Sequence, residues 1–157
     1  MLGYRFTSVY KKGVKGRYQL VVSKDAWASF NRKLKYVTKK TLPYSLRERL
    51  QRLQSIYRGW LHNYRLGNIG VKLKKLDEWL RNRLRYCIWR DWKKLERKRK
   101  NLIRLGIKEG QAYAWSRTRM GGWAVAQSPI LGTTITLKRL KKIGYQSMLE
   151  YYQKVKF

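Results

Sequence analysis

Residues able to perform acid–base, nucleophilic or metal chemistry are few in this chain of 157 residues. His62 is its one histidine and Cys87 its one cysteine. Zinc fingers and HNH-type nuclease sites need several such ligands, and a disulfide framework needs several cysteines, so all three classes are excluded. The eight acids are not spaced to converge on metal ions, and the adjacent pair Asp77 and Glu78 lies about 100° apart around a helix. Because no phosphate-binding GxxxxGK[ST] loop occurs either, we predict no catalytic residue, no metal site and no cofactor.

Positive charge and aromatic side chains dominate the composition instead. The chain has 39 Lys and Arg against 8 Asp and Glu, a net charge of +31, together with 7 Trp, 12 Tyr and 3 Phe. Cations contact phosphates and aromatic rings stack on bases, so this composition predicts polyanion binding, with nucleic acid favoured. The charge far exceeds what solubility needs, and a hydrophobic content of 43% excludes a disordered basic tail.

The candidate nucleic-acid contacts lie on the polar faces of predicted helices and at a basic junction. Arg47, Arg58 and Arg65 form one row on a predicted helix, with His62 beside them. Trp89 lies among cations on the polar face of the next helix, where it either stacks on a base or packs against another part of the chain. The full set is Arg47, Arg58, His62, Arg65, Lys74, Lys75, Arg81, Arg85, Trp89, Lys93, Arg97, Lys98, Arg99, Lys100 and Arg104.

Residues 1–22 are predicted to form a β-hairpin. Aromatic and β-branched residues such as Tyr4 and Val9 precede a Gly-containing turn at 11–16, and the segment from Tyr18 to Val22 follows it. An isolated hairpin is only marginally stable, so we expect this one to pack against other elements.

Three amphipathic helices follow over about residues 24–92. Ser23 is a predicted N-cap of a helix ending near Lys39, and Ser45 with Glu48 forms a capping box that opens the second helix. The third helix starts near Val71. Apolar side chains recur at helical spacing in all three, which predicts a three-helix bundle.

The composition changes beyond residue 92. A basic junction, helical from Lys98 onward, precedes short helical segments at 108–118, 123–131, 136–143 and 146–155. The predicted fold class is therefore mainly α, with a short N-terminal β-hairpin, a three-helix bundle and a smaller C-terminal helical subdomain. No apolar stretch is long enough to span a bilayer, so we expect an intracellular, soluble protein with no membrane partner.

Several segments resemble the thumb and maturase-specific domain, domain X, of group II intron-encoded reverse transcriptases of the bacterial type that lacks an endonuclease domain. The most specific are an RGW…NY element followed by LDEWLRNRLR, at Tyr57–Arg65 and Leu76–Arg85. Leu2–Phe6 resembles the element that ends the reverse-transcriptase palm. Further similar segments are Leu46–Leu50, Cys87–Lys93, Lys100–Ile107, Ala112–Trp115 and Ser128–Leu131.

The resemblance implies three regions: the end of the palm with the hairpin at 1–22, the thumb and maturase domain X at 23–92, and a basic helical region like the DNA-binding part at 93–157. It implies an RNA-binding maturase module that promotes splicing and mobility. Its partners would be group II intron RNA and target DNA, in a bacterial cytoplasmic ribonucleoprotein.

One departure from the family concerns enzymatic activity. The family is an RNA-directed DNA polymerase, but its YADD metal-binding motif does not occur here, so this chain alone is not expected to be an enzyme. One alternative is the thumb and C-terminal part of a split reverse transcriptase, completed in trans by a separate fingers and palm polypeptide. A second alternative is an unrelated basic structural protein of a ribonucleoprotein.

Overall fold

An antiparallel hairpin begins the fold, and residues 4–8 and 18–156 are those that the computed structural model describes. Strand β1 (Tyr4–Ser8) pairs with β2 (Tyr18–Val22), with Tyr4 opposite Val22 and Ser8 opposite Tyr18. The two strands of the predicted hairpin are therefore confirmed. The predicted turn at 11–16 and Val9 lie outside the described residues.

Three longer helices follow, and two begin at their predicted caps. The Ser23 hydroxyl accepts from the Ala26 amide at 3.2 Å, and the Ser45 hydroxyl accepts from the Glu48 amide at 3.2 Å. Each hydroxyl thus satisfies an amide that the first helical turn leaves without a partner. The helices are α1 (Lys24–Val37), α2 (Leu46–Asn63) and α3 (Gly70–Asp91).

Six shorter helices complete the described chain: α4 (Leu95–Arg104), α5 (Glu109–Ser116), α6 (Gly122–Ala126), α7 (Pro129–Gly132), α8 (Leu137–Lys142) and α9 (Met148–Val155). The mainly α prediction is confirmed. The single helix predicted at 123–131 was wrong, because the chain leaves α6 and starts α7 at Pro129, with the Ser128 side chain as its cap. Helix α4 also begins earlier than Lys98, at Leu95.

The described helices fall into two compact units, each assembled from separate stretches of chain. Unit 1 contains residues 1–37, 51–77 and 146–157, and unit 2 contains residues 38–50 and 78–145. These units group residues by contact rather than by role, so the functional boundaries at 1–22, 23–92 and 93–157 stay predictions.

Unit 1 is held together by an aromatic cluster and by a buried carboxylate. Trp60 stacks on Phe30 with ring centroids 4.2 Å apart, and Trp27 lies 4.8 Å from Trp60. The carboxylate is that of Asp77, which is 2% exposed and accepts from the Ser147 hydroxyl and from the first amides of α9. A negative charge at a helix N-terminus is stabilising, so Asp77 fixes the position of α9 on unit 1.

Unit 2 is organised around the segment that follows α1. The buried Arg49 guanidinium donates to the carbonyl oxygens of Lys39 and Leu42, both at 2.9 Å. Arg83 donates to the Thr38 hydroxyl and carbonyl at 3.1 Å, and the buried Cys87 thiol donates to the same carbonyl. These three side chains satisfy carbonyl groups of a non-helical stretch that begins at the buried Thr38, and all three therefore have structural roles.

Candidate nucleic-acid interface

Unit 1 presents the first group of predicted contacts on α2, on the turn that follows it and on α3. Arg58, His62, Lys74 and Lys75 are exposed, whereas Arg65 is half-exposed and donates from Nη1 to the His62 carbonyl at 3.1 Å. The helical spacing that places the apolar residues of α2 inward turns these polar residues toward solvent. These side chains are therefore accessible to a phosphate backbone.

Arg58 is ordered by the segment that leads into α9. Its Nε and Nη2 donate to Gln146 Oε1 at 3.2 and 2.9 Å, and its guanidinium carbon lies 5.6 Å from the Tyr151 ring centroid. The Tyr57 hydroxyl donates to the same amide oxygen at 3.3 Å, and burial raises the pKa of Tyr57 above its ordinary value. An exposed guanidinium that is already oriented loses little side-chain entropy when it contacts a phosphate.

Several aromatic rings of unit 1 pack against neighbouring side chains, among them those of Trp60 and Tyr64. Their rings lie 4.6 Å apart, and the buried Trp27 carries the Lys72 ammonium 5.2 Å from its centroid. This unit therefore presents its cations to solvent and uses these rings for its own stability.

The α3 contacts in unit 2 are more deeply embedded than the α2 contacts in unit 1. Arg81 and Arg85 are half-buried, and Arg85 donates from Nε to the Ile135 carbonyl at 2.7 Å and from Nη1 to Asn82 Oδ1 at 2.9 Å. Burial lowers the pKa of Arg85, with the charge of Arg81 acting in the same direction. Arg85 thus tethers the loop before α8, and its free surface is smaller than the helical wheel indicates. Arg47, at the start of α2, is exposed.

Trp89 lies inside unit 2, although its sequence position is on the cationic face of α3. Its side chain is 5% exposed and packs 5.9 Å from Trp92, and the Lys98 ammonium lies 4.4 Å from its ring centroid. Of the two alternatives for Trp89, base stacking and packing against another part of the chain, the structure shows packing. The indole supports a lysine and does not present a face for base stacking.

Helix α4 carries several of the predicted nucleic-acid contacts, and these residues differ in exposure and in ion pairing. Arg97 and Lys100 are exposed, while Arg99 binds Glu96 at 2.9 Å and Glu109 at 3.4 Å. Arg117 also binds Glu96 at 3.4 Å, and hydrogen bonds from Arg99 lower the pKa of Glu96. Arg99 is thus paired with carboxylates, whereas its neighbours Arg97 and Lys100 are exposed to solvent.

The remaining predicted contacts are Lys93 and Arg104. Lys93, which follows α3, is exposed. Arg104, at the end of α4, is exposed and donates to Asn101 Oδ1 at 3.1 Å. Arg104 also borders an apolar cavity of about 420 Å³ whose wall includes Ile88 and Trp92.

The described residues contain no group of three or more His, Cys, Asp or Glu side chains that could hold a metal ion. Within the same residues, no helix combines the length and the apolar character needed to cross a membrane. The electrostatics are those of a polycation, because eight carboxylates cannot neutralise 39 cations.

Two residues that the sequence did not indicate as important have defined roles. Asp77 caps α9, and Lys40 lies beside Tyr86 with its ammonium 5.1 Å from the ring centroid. No local pattern signals either contact, because each partner is more than 40 residues away in the sequence.

Comparison with protein families supplies a functional context for this geometry. Residues 27–106, just over half of the chain, match the family model described as the group II intron, maturase-specific domain. No curated protein matches the chain at a significant level. Every predicted contact from Arg47 to Arg104 lies inside the matched region.

Proposed function

Because the chain belongs to the family of the group II intron maturase-specific domain, we propose that it binds the structured RNA of a group II intron and helps that RNA to splice. The observation that carries the proposal is the family match together with the exposed cations inside the matched region. The chemistry of splicing would belong to the RNA, and the protein would stabilise its active fold.

Recognition would combine charge and shape. Arg58, Lys74 and Lys75 in unit 1, and Arg97 and Lys100 in unit 2, are exposed and can contact phosphates. Phosphate contacts supply affinity and position, whereas RNA is distinguished from DNA by its helical shape and its 2′-hydroxyls. A protein that neutralises many phosphates releases counterions, so its affinity must fall steeply with salt.

A salt titration of the full chain against structured intron RNA, beside a duplex DNA of the same length, tests this function. With six to ten phosphate contacts, affinity should fall roughly 10³–10⁵-fold between about 50 and 200 mM salt. We expect the RNA to remain preferred at the higher salt, and we expect the protein to raise the rate of intron splicing. A flat salt response would refute phosphate binding. Equal affinities for RNA and DNA that are both lost at the higher salt would show that the protein binds polyanions without specificity.

The basic region at 93–157 is the part that we propose contacts target DNA during intron mobility. The supporting observation is the outward position of Arg97 and Lys100 on α4. Replacing both by alanine should weaken duplex DNA binding more than intron RNA binding. Equal losses on the two ligands would overturn this assignment.

A further inference from the structure

A small cavity in unit 2 is bordered by cations and aromatic rings. Its volume is about 200 Å³, and it lies among the end of α3, the turn that follows, α4 and the segment after α1. The lining residues that matter here are Lys40, Tyr86, Trp89, Arg90, Lys93 and Lys98, which we call the basic pocket.

Aromatic rings hold two of the pocket's ammonium groups in place. The Lys98 Nζ lies 4.4 Å from the centroid of the buried Trp89 ring, and the Lys40 Nζ lies 5.1 Å from the Tyr86 ring. A cation above an aromatic face is attracted by the ring quadrupole and keeps its full charge. Both groups are therefore positioned without being neutralised by their ring partners.

A strained turn forms another part of the wall. Lys93 has φ of 49°, the one non-glycine residue with positive φ in the described chain, and its amide donates to the Arg90 carbonyl at 3.2 Å. The left-handed conformation is unfavourable for a residue with a side chain, and such residues cluster at ligand-binding sites. Here the turn ends α3 and places Lys93 beside Arg90 on the pocket wall.

Gly122 permits the position of the Tyr86 ring. A Cβ at this residue would overlap the Cε2 atom of Tyr86, so a side chain here would displace the ring. The Tyr86 ring also makes an edge contact with Trp123 at 5.9 Å. The aromatic wall is thus built into the packing of α6.

The charges of the pocket are not balanced by acids in its wall, since none of the described lining residues is acidic. Burial lowers the pKa of Lys98, and the charge of Arg90 acts in the same direction. Glu96 is bound by Arg99 and Arg117, and Asp91, whose charge acts on Lys93, borders the larger apolar cavity. Four like charges around one small cavity repel each other, and an anion inside it would remove that repulsion.

The size of the cavity restricts the anion. It is smaller than the roughly 300–1,000 Å³ of pockets that enclose whole organic ligands, and lysine and arginine are the usual partners of phosphate. We propose that the basic pocket binds a single phosphate group of the RNA, a refinement that rests on the proposed function. The phosphate belongs either to the RNA backbone or to its 5′ end.

The first test measures phosphate binding without RNA. The pocket variant carries Lys40→Met and Lys98→Met, and the control carries Lys39→Met and Lys108→Met, which remove equal charge from exposed lysines outside the pocket wall. Inorganic phosphate, compared with chloride at equal ionic strength, should raise the melting temperature of the wild type and the control but not of the pocket variant. Equal shifts in all three proteins would overturn the proposal. Circular dichroism would establish that both variants are folded.

The second test measures RNA affinity with the same proteins. We expect the pocket variant to bind structured RNA about tenfold more weakly than the control, as the loss of a charge-assisted phosphate contact predicts. A loss that is the same with and without a 5′-phosphate on the RNA identifies a backbone phosphate, and a loss confined to the phosphorylated RNA identifies the terminal group. Either result supports the pocket.

The two tests separate failure of the pocket from failure of the proposed function. If the wild type binds RNA but the pocket variant behaves like the control, the pocket assignment is wrong and RNA binding stands. Stabilisation by inorganic phosphate without any difference in RNA affinity also overturns the assignment. If the wild type does not bind RNA, the proposed function fails, and this assignment of an RNA phosphate fails with it.

Discussion

Asp77→Ala tests the buried carboxylate that caps α9. The carboxylate accepts from the Ser147 hydroxyl at 2.9 Å, from the Met148 amide at 2.9 Å and from the Leu149 amide at 3.0 Å. Alanine would remove all three acceptor contacts and the negative charge at the N-terminus of α9.

The magnitude follows from those contacts. A hydrogen bond to a charged group contributes about 1.5 kcal/mol or more, so three would contribute about 4.5 kcal/mol. The Leu149 amide is only partly buried and can recover a bond to water, which reduces the expected loss to about 3 kcal/mol. For a chain of this length, such a loss lowers the melting temperature by roughly 6–12 °C.

Urea unfolding followed by circular dichroism measures this loss, and Glu78→Ala is the matched control. Glu78 is the adjacent acid, is exposed and changes the net charge equally. Asp77→Asn should be intermediate, because the amide oxygen still accepts one bond. A loss below about 1 kcal/mol for Asp77→Ala, or a loss equal to that of the control, would refute the capping role.

Three further predictions address the surface, the pocket wall and the thiol. The double variant Arg58→Ala with Arg65→Ala should weaken intron RNA binding and lower the salt slope while the helical signal is retained, measured by filter binding and circular dichroism. Gly122→Ala should destabilise the protein by about 1–3 kcal/mol in urea, because the new methyl group overlaps the Tyr86 ring. Cys87 should react with iodoacetamide at pH 8 only as fast as the protein unfolds, because burial raises the pKa of its thiol and blocks access.

Each of these has an outcome that contradicts it. Collapse of the helical signal in the double arginine variant would show that the two side chains are structural. An unchanged urea midpoint for Gly122→Ala would mean that Tyr86 moves aside at little cost. Labelling of Cys87 at the rate of free cysteine under native conditions would contradict its burial.

Local sequence was sufficient for most of the helices. Apolar periodicity located α1, α2 and α3, and the serines at 23 and 45 marked two of their starts. Caps and periodicity depend on neighbours within a few residues, so a sequence window contains the forces that matter. The prediction failed at 123–131, where Ser128 and Pro129 start a new helix instead of continuing the old one.

Composition and motifs determined the class of partner. A composition of 39 cations and 8 acids predicts a polyanionic partner whatever the fold. The segments around 46–107 indicated the family whose model matches residues 27–106. The availability of individual cations could not be predicted in this way. A helical wheel shows which residues share a face, but not which segments pack against that face.

Packing between distant segments decided the rest. The Trp89 ring is buried because Trp92 and Lys98 pack against it. The Arg85 guanidinium is held by a hydrogen bond that it donates to the Ile135 carbonyl. Asp77 became a cap because α9 returns to α3, about 70 residues later in the chain. The sequence alone therefore determined most of the helices, the charge and the family. Only the tertiary structure determined which charged and aromatic groups remain free to bind, because burial and pairing depend on contacts that no local window contains.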